Sequence, residues 1–95
     1  MRYNTLIIYD ISSDRLRDIF VKEMLLFGIR TQKSVFEAKL TESELKRVKE
    51  TVRNFRKIHK EPKIDIYIIE EKAYNKALRL GKKSQYLAID DLIII

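Results

Sequence analysis

The chain has 95 residues and a mass of 11.4 kDa, which is enough for one domain, and we treat residues 1–95 as a single folding unit. The formal net charge is +6, so a polyanion is the first class of partner to consider. Cysteine is absent, which excludes disulfides, thiolate catalysis and zinc–thiolate sites. The N-terminus enters a strand directly and the apolar runs fall far short of the roughly 20 residues that cross a bilayer. We therefore expect a cytoplasmic protein with no membrane partner.

The first predicted element is a strand from Tyr3 to Tyr9, whose second half is apolar at both parities, as is typical of a strand covered on both faces. A helix is predicted next, with N-cap candidates in the stretch Ser12-Ser13-Asp14 and with Gly28 in the C′ position that ends it. Its apolar residues recur at intervals of three and four, namely Leu16, Ile19, Phe20, Met24 and Phe27.

The stretch Ile29–Leu40 has the composition of a strand, and pattern alone leaves open one long strand or a tight hairpin broken near Lys33-Ser34. Thr41-Glu42-Ser43-Glu44 is a capping box, which predicts that a second helix begins there and runs to about His59. Its buried positions are expected to be Leu45, Val48, Val52 and Phe55.

Pro62 ends the second helix, and Ile64–Ile69 is predicted as another strand. Ala73–Leu80 is interpreted as a short helix or turn, and Leu92–Ile95 is a last apolar run. This order predicts an α+β ferredoxin-like sandwich, βαββαβ with an extra C-terminal strand, in which both helices cover one face of an antiparallel sheet.

The other face of such a sheet would expose more apolar surface than a monomer usually does. We therefore expect a homodimer that forms through the sheet faces. Residues 72–95 are interpreted as a C-terminal extension, which could add an edge strand to the partner's sheet.

The residues and motifs that the sequence lacks exclude several kinds of catalytic site. His59 is the only histidine, so no Ser-His or Cys-His nucleophile system can be assembled, and no glycine-rich phosphate loop is present. Carboxylates with a hard cation remain, and Asp10 is the candidate catalytic residue and Mg²⁺ ligand because it follows a buried strand and precedes a helix N-terminus. One aspartate supplies only one carboxylate ligand, whereas a two-fold axis near Asp10 would bring two carboxylates together. The alternative is an ordinary loop or capping acid.

The second helix is the candidate nucleic-acid interface, since basic residues fill most of its exposed circumference over a length of about 27 Å. Ser12 and Ser13 are further candidates for phosphate binding, with helix capping as the alternative. The basic candidates are Arg47, Arg53, Arg56 and Lys57 of the second helix, with Arg79, Lys82 and Lys83 further on. The alternative is an ordinary charged face, and any binding should depend steeply on salt and little on base sequence.

Three stretches closely resemble CRISPR-associated protein two over about residues 3 to 70: Tyr9-Asp10-Ile-Ser-Ser-Asp-Arg15 with Arg17, then Phe27-Gly-Ile-Arg-Thr-Gln32, then Ser34-Val-Phe-Glu37. The resemblance implies a ferredoxin-like homodimer, two strands within Ile29–Leu40, and Asp10 as the metal-binding acid of a Mg²⁺-dependent endonuclease acting on RNA or double-stranded DNA. It also implies a scaffold that bridges two dimers of the spacer-acquisition integrase and holds the incoming duplex. Arg15 and Arg17 join the nucleic-acid-binding candidates on this basis.

Two positions depart from that family's pattern. Asp65 stands where many relatives have arginine, and the segment after Glu71 matches no family motif. Three functions are carried forward: a duplex-binding scaffold of spacer acquisition with endonuclease activity, a purely non-catalytic nucleic-acid-binding dimer, and a toxin-like ribonuclease of the related virulence-associated protein D group.

Overall fold

The computed structural model describes residues 1–80 of the 95-residue chain. Its elements in chain order are β1 (Tyr3–Asp10), α1 (Asp14–Met24), β2 (Ile29–Gln32), β3 (Val35–Leu40), α2 (Glu42–Ile58), β4 (Lys63–Ile69) and α3 (Glu71–Tyr74). The four strands form an antiparallel sheet in the order β2-β3-β1-β4. The chain is therefore a small α+β fold.

Side chains alternate between the two faces of the sheet, as they must in any β-strand. Ile7 and Tyr9 of β1 point to the side that packs on α1 and α2, which we call the helix face. The core lies there and joins the sheet to both helices: Ile7, Tyr9, Ile11, Phe20, Met24, Phe36, Ala38, Leu40, Leu45, Val48, Val52 and Phe55. The opposite side, to which Leu6 and Ile8 point, is called the open face.

The first helix ends earlier than its apolar spacing predicts. It stops at Met24, with Leu25 as its C-cap, and a turn carries the chain to Gly28. The prediction that Gly28 ends the helix in the C′ position is therefore wrong. A Cβ on Gly28 would lie 2.3 Å from the carbonyl oxygen of Glu37 and 2.7 Å from the Cβ of Ala38, so glycine is needed because β2 enters the sheet in close contact with β3.

Ile29–Leu40 forms two strands joined by a tight turn, as the family resemblance implied. The turn is tied to the sheet through the carbonyl oxygen of Lys33, which accepts hydrogen bonds from the Tyr9 hydroxyl at 2.8 Å and from the Arg30 guanidinium at 2.7 Å. The Tyr9 amide donates to the Ser34 carbonyl at 3.1 Å. The backbone at Lys33-Ser34 is thus fixed next to the end of β1.

The capping box predicted for α2 is confirmed. The Glu44 amide donates to the Thr41 hydroxyl at 3.2 Å, and the Glu44 carboxylate accepts from the Thr41 amide at 2.8 Å. The hydrogen bond from the Thr41 amide is the main cause of the lowered pKa of Glu44. At the other end, Arg56 donates to the carbonyls of His59 and Lys60 at 3.0 and 2.7 Å, which satisfies backbone acceptors that the helix end leaves open.

One end of the open face is covered by the chain itself. The four-residue helix α3 and the residues after it fold back over the sheet. A short helix or turn was predicted over Ala73–Leu80; the helix begins two residues earlier, ends at Tyr74 and is followed by a turn. Tyr74 is buried there against Glu37, and Asn4 and Ile29, which also point to the open face, are buried as well. The predicted edge strand on a partner's sheet, and the apolar run Leu92–Ile95, fall largely or wholly outside the described residues.

The remaining part of the open face stays accessible and apolar. We call it the open strip, and it consists of Leu6, Ile8, Val35 and Tyr67; in the strand register Ile8 lies opposite Val35, and Leu6 lies opposite Tyr67. Ile8, on the central strand β1, is 38% exposed, and Tyr67, on the neighbouring strand β4, is 48% exposed. Asp65 lies directly opposite Ile8 on β4, and it therefore brings a carboxylate to this strip.

Candidate functional site: Asp10 and the basic surfaces

Asp10 is the last residue of β1, and the residue before it is firmly held. The Tyr9 ring is buried, with its centroid 5.1 Å from that of Phe20 and 5.8 Å from that of Phe36. Because side chains alternate along the strand, Asp10 points to the opposite side, onto the open face, and it is exposed. Its direct partner in the register is Lys63, the first residue of β4.

The loop after Asp10 is stabilised by hydrogen bonds and an ion pair of nearby side chains. Ser13 caps α1 by accepting a hydrogen bond from the Leu16 amide at 3.2 Å, so capping, one of the two roles considered for it, is observed. Asp14 is the first residue of α1 and forms an ion pair with Arg17. Arg17 also donates to the Ile11 carbonyl at 2.9 Å. Arg17, which was predicted to contact nucleic acid, therefore holds the backbone next to Asp10.

Ser12 connects this loop to the segment between α2 and β4. Its hydroxyl donates to the Glu61 carboxylate at 3.2 Å, and both side chains are exposed. Ser12 therefore remains accessible to a phosphate, in contrast to Ser13, whose hydroxyl is engaged at the helix end. Phosphate binding by either residue stays a prediction.

A single chain does not assemble a metal centre around Asp10. Within residues 1–80, no three histidine, aspartate or glutamate side chains lie close enough together to hold an ion. Mg²⁺ usually takes one or two carboxylates and completes its shell with water and substrate oxygens. One chain thus offers the Asp10 carboxylate to the implied metal, and a second copy related by a two-fold axis would add another.

The predicted phosphate contacts divide into two groups. Arg15, Arg53 and Lys57 are exposed and make no hydrogen bond or ion pair with the part of the chain that the structure describes. Arg17 and Arg56 hold backbone carbonyls, and the Arg47 guanidinium lies 5.4 Å from the centroid of the Phe27 ring.

Lys82 and Lys83 lie outside the described residues, so their role stays a prediction. Among the rest, only a subset of the basic candidates can move freely toward a phosphate.

The structure also separates the two predicted sites. The α2 helix packs on the helix face through Leu45, Val48, Val52 and Phe55, so Arg53 and Lys57 point away from the sheet. Asp10 belongs to the open face on the other side. The basic surface of α2 and the Asp10 carboxylate are therefore two regions of one chain rather than one pocket.

A buried polar cluster on the open face was missed by sequence reasoning, which assigned Arg79 to a duplex backbone, whereas its guanidinium binds Glu37. Glu37, whose side chain is only 8% exposed, accepts a hydrogen bond from the Tyr74 hydroxyl at 2.6 Å and two from the Arg79 guanidinium at 2.9 Å each. We call these three residues the Glu37 cluster. The only sequence signal was an acid at a β3 position whose register neighbours, Leu6 and Ile29, are apolar.

Two pKa values follow from the cluster's geometry. Burial alone would raise the pKa of Glu37, but the hydrogen bonds from Arg79 and Tyr74 and the positive charge of Arg79 outweigh it and lower that pKa. Burial, and then the neighbouring carboxylate, raise the pKa of the Tyr74 hydroxyl. Glu37 is therefore an anion, and Tyr74 a neutral donor, over the whole neutral range.

Comparison with known proteins identifies the family. A family model described as CRISPR associated protein Cas2 matches residues 1–77, which is most of the chain. The chain belongs to the Cas2 family. No curated protein sequence gives a significant match.

Solved structures share the fold of this Cas2-family chain. A hypothetical protein, TT1823 from Thermus thermophilus, aligns with a TM-score of 0.74 at 24% identity, covering 88% of this chain and 96% of that one. Cas2 of Streptococcus pyogenes aligns with a TM-score of 0.69 at 23% identity, covering 82% and 99%. A chain of a partial Cas6-RT-Cas1–Cas2 complex aligns with a TM-score of 0.70 at 22% identity, covering 84% and 91%.

The residues that carried the family resemblance have mainly structural contacts in this Cas2-family chain. The Ser34 carbonyl accepts the Tyr9 amide, Phe36 is fully buried in the core, and Glu37 anchors the segment that follows β4. Asp10 is the exception, because it is exposed. Among the described helices, none combines the length and apolar character that a membrane span requires.

Proposed function

We propose that this Cas2-family chain acts in CRISPR adaptation, as a homodimeric scaffold that holds duplex DNA and binds the dimers of an integrase subunit. The observation that carries the proposal is the family match over residues 1–77. A chain of a Cas1–Cas2 complex with the same fold supports it. A cytoplasmic location is part of the proposal.

The exposed open strip supports the homodimer. It forms an exposed, mainly apolar surface on the sheet, and a second copy placed there by a two-fold axis would cover it with the same strip. The strand order β2-β3-β1-β4 and the βαββαβ succession support the ferredoxin-like description of each half. The two Asp10 side chains, at the margin of the strip, would then border a common cleft.

The net charge and the free cations of α2 support duplex binding. Arg53 and Lys57 are one helical turn apart, about 6 Å along the axis, and both are available to phosphates. Such residues are expected to contact only the phosphate backbone of the duplex, so the affinity for DNA should not depend on base sequence.

The double variant Arg53→Glu, Lys57→Glu tests duplex binding, with Lys72→Glu as the control on an exposed lysine of α3. We expect the double variant to bind labelled duplex DNA more weakly and with a flatter salt dependence, by about 0.9 in the log–log slope for each phosphate that the variant no longer neutralises. The control should retain the wild-type affinity. Unchanged affinity and slope in the double variant would show that α2 is only a solvated face.

A second proposed activity is Mg²⁺-dependent hydrolysis of phosphodiester bonds in RNA or double-stranded DNA, with Asp10 as the catalytic and metal-binding residue. Its support is the family resemblance and the position of Asp10, which is exposed at the end of a rigid strand. One chain brings only Asp10 to this position, so a metal held by two carboxylates would depend on the pairing of two copies.

Asp10→Asn should abolish cleavage of both substrates while leaving duplex binding intact, and a chelator should abolish cleavage by the wild type. Cleavage that persists in the variant or in the chelator would rule out the nuclease and leave the non-catalytic scaffold. The toxin-like ribonuclease alternative is disfavoured by the family match. It predicts RNA cleavage without any affinity for the integrase subunit.

A further inference from the structure

Two lysines that no motif singled out lie on either side of Asp10. β1 is a central strand, with β4 hydrogen-bonded on one side and β3 on the other. Lys63 opens β4, and Lys33 lies in the turn that leads into β3. All three residues therefore meet at the same end of the sheet, which we call the Asp10 edge.

Lys63 is placed by the strand register. It is the direct partner of Asp10, so the two side chains leave the sheet on the same face with their Cβ atoms about 5 Å apart. Both are exposed, and they do not form an ion pair with each other. The Lys63 ammonium is thus available to another anion, although a carboxylate is next to it.

Lys33 is placed by the hydrogen bonds of its turn. Its carbonyl oxygen accepts from the Tyr9 hydroxyl and from the Arg30 guanidinium, and the Ser34 carbonyl accepts from the Tyr9 amide. The backbone of Lys33 is therefore tied to the residue before Asp10. Its own side chain is exposed and unpaired within residues 1–80.

The other acids near this edge are compensated only in part. Asp14 pairs with Arg17, whereas Glu61 keeps its negative charge while it accepts a hydrogen bond from Ser12, and Asp65 lies on the open face two residues beyond Lys63. Asp10 alone would repel a phosphodiester, and the ammonium groups of Lys33 and Lys63 offset that repulsion. Neighbouring strands lie about 4.8 Å apart, so both cations are close enough to act on a phosphate beside Asp10.

We propose that Lys33 and Lys63 bind backbone phosphates of a nucleic-acid strand that crosses the Asp10 edge. The inference rests on the proposed nucleic-acid-binding function and extends it to the open face, on the opposite side of the sheet from α2. The contacts are to the phosphodiester backbone, which DNA and RNA share, and they carry no base specificity.

The test compares Lys33→Gln, Lys63→Gln and the double variant with Lys72→Gln, which removes the same charge from an exposed residue of α3. The probes are a labelled duplex DNA and a single-stranded RNA of the same sequence, each titrated over a range of salt concentrations. Each phosphate that a variant no longer neutralises should reduce the log–log salt slope by about 0.9 for the duplex or about 0.7 for the single strand. Lys63→Arg should retain the wild-type slope, and thermal unfolding should be the same for all variants.

A reduced slope on the duplex alone, on the RNA alone or on both supports the inference and identifies the strand that crosses this edge. If the wild type binds but the double variant has the slope of Lys72→Gln, the inference is wrong and the proposed function stands. If the wild type binds neither probe, the proposed function fails, and this inference fails with it.

Discussion

The Glu37 cluster makes the most quantitative prediction for the stability of this fold. Arg79→Ala leaves a carboxylate that is only 8% exposed without its cation, while the Tyr74 hydroxyl still donates to it. Removing one member of a fully buried ion pair costs about 3–5 kcal/mol. The Arg79 side chain is itself 45% exposed and partly screened by water, so we expect about 2 kcal/mol.

Tyr74→Phe removes one hydrogen bond to a charged acceptor and leaves the ion pair in place, at an expected cost of about 1.5 kcal/mol. For a domain of this size, each kcal/mol lowers the melting temperature by about 4–8 °C. Thermal unfolding followed by circular dichroism at a fixed protein concentration measures both variants. Tyr3→Phe is the matched control, because Tyr3 lies on the helix face, away from the open strip, and its hydroxyl has no hydrogen bond within residues 1–80; it should change the stability by less than about 0.5 kcal/mol.

The pH dependence of the same variants tests the electrostatic reasoning. The pKa of Glu37 is lowered in the folded chain, so its contribution is complete above about pH 4.5 and is lost as the pH falls through the folded value. In Arg79→Ala, burial should prevail and raise the pKa of Glu37, so this loss of stability in acid should shrink or reverse. If Arg79→Ala and the control melt alike at neutral pH and lose the same stability in acid, Arg79 does not hold the Glu37 carboxylate.

Three further predictions follow from individual contacts. Gly28→Ala should destabilise the fold by about 1–3 kcal/mol in urea unfolding, since its Cβ would meet the Glu37 carbonyl at 2.3 Å, and an unchanged midpoint would contradict this close approach. Arg17→Gln should lower stability by about 1 kcal/mol yet leave the salt slope of duplex binding unchanged, because its guanidinium is engaged by backbone and by Asp14; a slope reduced by one phosphate would refute that assignment. Because the pKa of Tyr74 is raised, its contribution should be lost as the pH rises above about 10, and Tyr74→Phe should lose less stability there than the wild type.

Elements whose cause is local could be predicted from the sequence. The capping box of α2 joins residues three apart, and the buried stripe of that helix repeats at helical spacing, so both are visible in the order of residues. The strand β4 was likewise evident from its composition, and its structural bounds differ by one residue at the start.

Features that depend on distant contacts could not be predicted. Tyr74 and Arg79 reach Glu37 from 37 and 42 residues away, and nothing near Glu37 in the sequence indicates these partners. The end of α1 was misplaced for a related reason. Gly28 looked like a helix terminator, but its conformational role is set by β3, which passes against it in the folded sheet.

In the candidate site, too, the sequence identified residues by their type, whereas their surroundings could be seen only in the structure. Charge identified Arg47 and Arg56 as possible phosphate contacts and the family resemblance added Arg17, but only the structure shows that each is engaged with backbone or with an aromatic ring. Conversely, Lys63 gave no signal until the register placed it opposite Asp10. The strand alternation that exposes Asp10 was predictable, whereas its neighbours across the sheet were not.

The central claim is that two copies pair through the open strip, and sedimentation of the full chain tests it most directly. The wild type should sediment as a species of about twice the 11.4 kDa chain mass at micromolar concentration. Ile8→Lys, which places a charge in the strip, should give a folded monomer, and the control Ile58→Lys at the exposed end of α2 should remain dimeric. A wild-type chain that stays at the mass of one copy, even with duplex DNA present, would contradict the account.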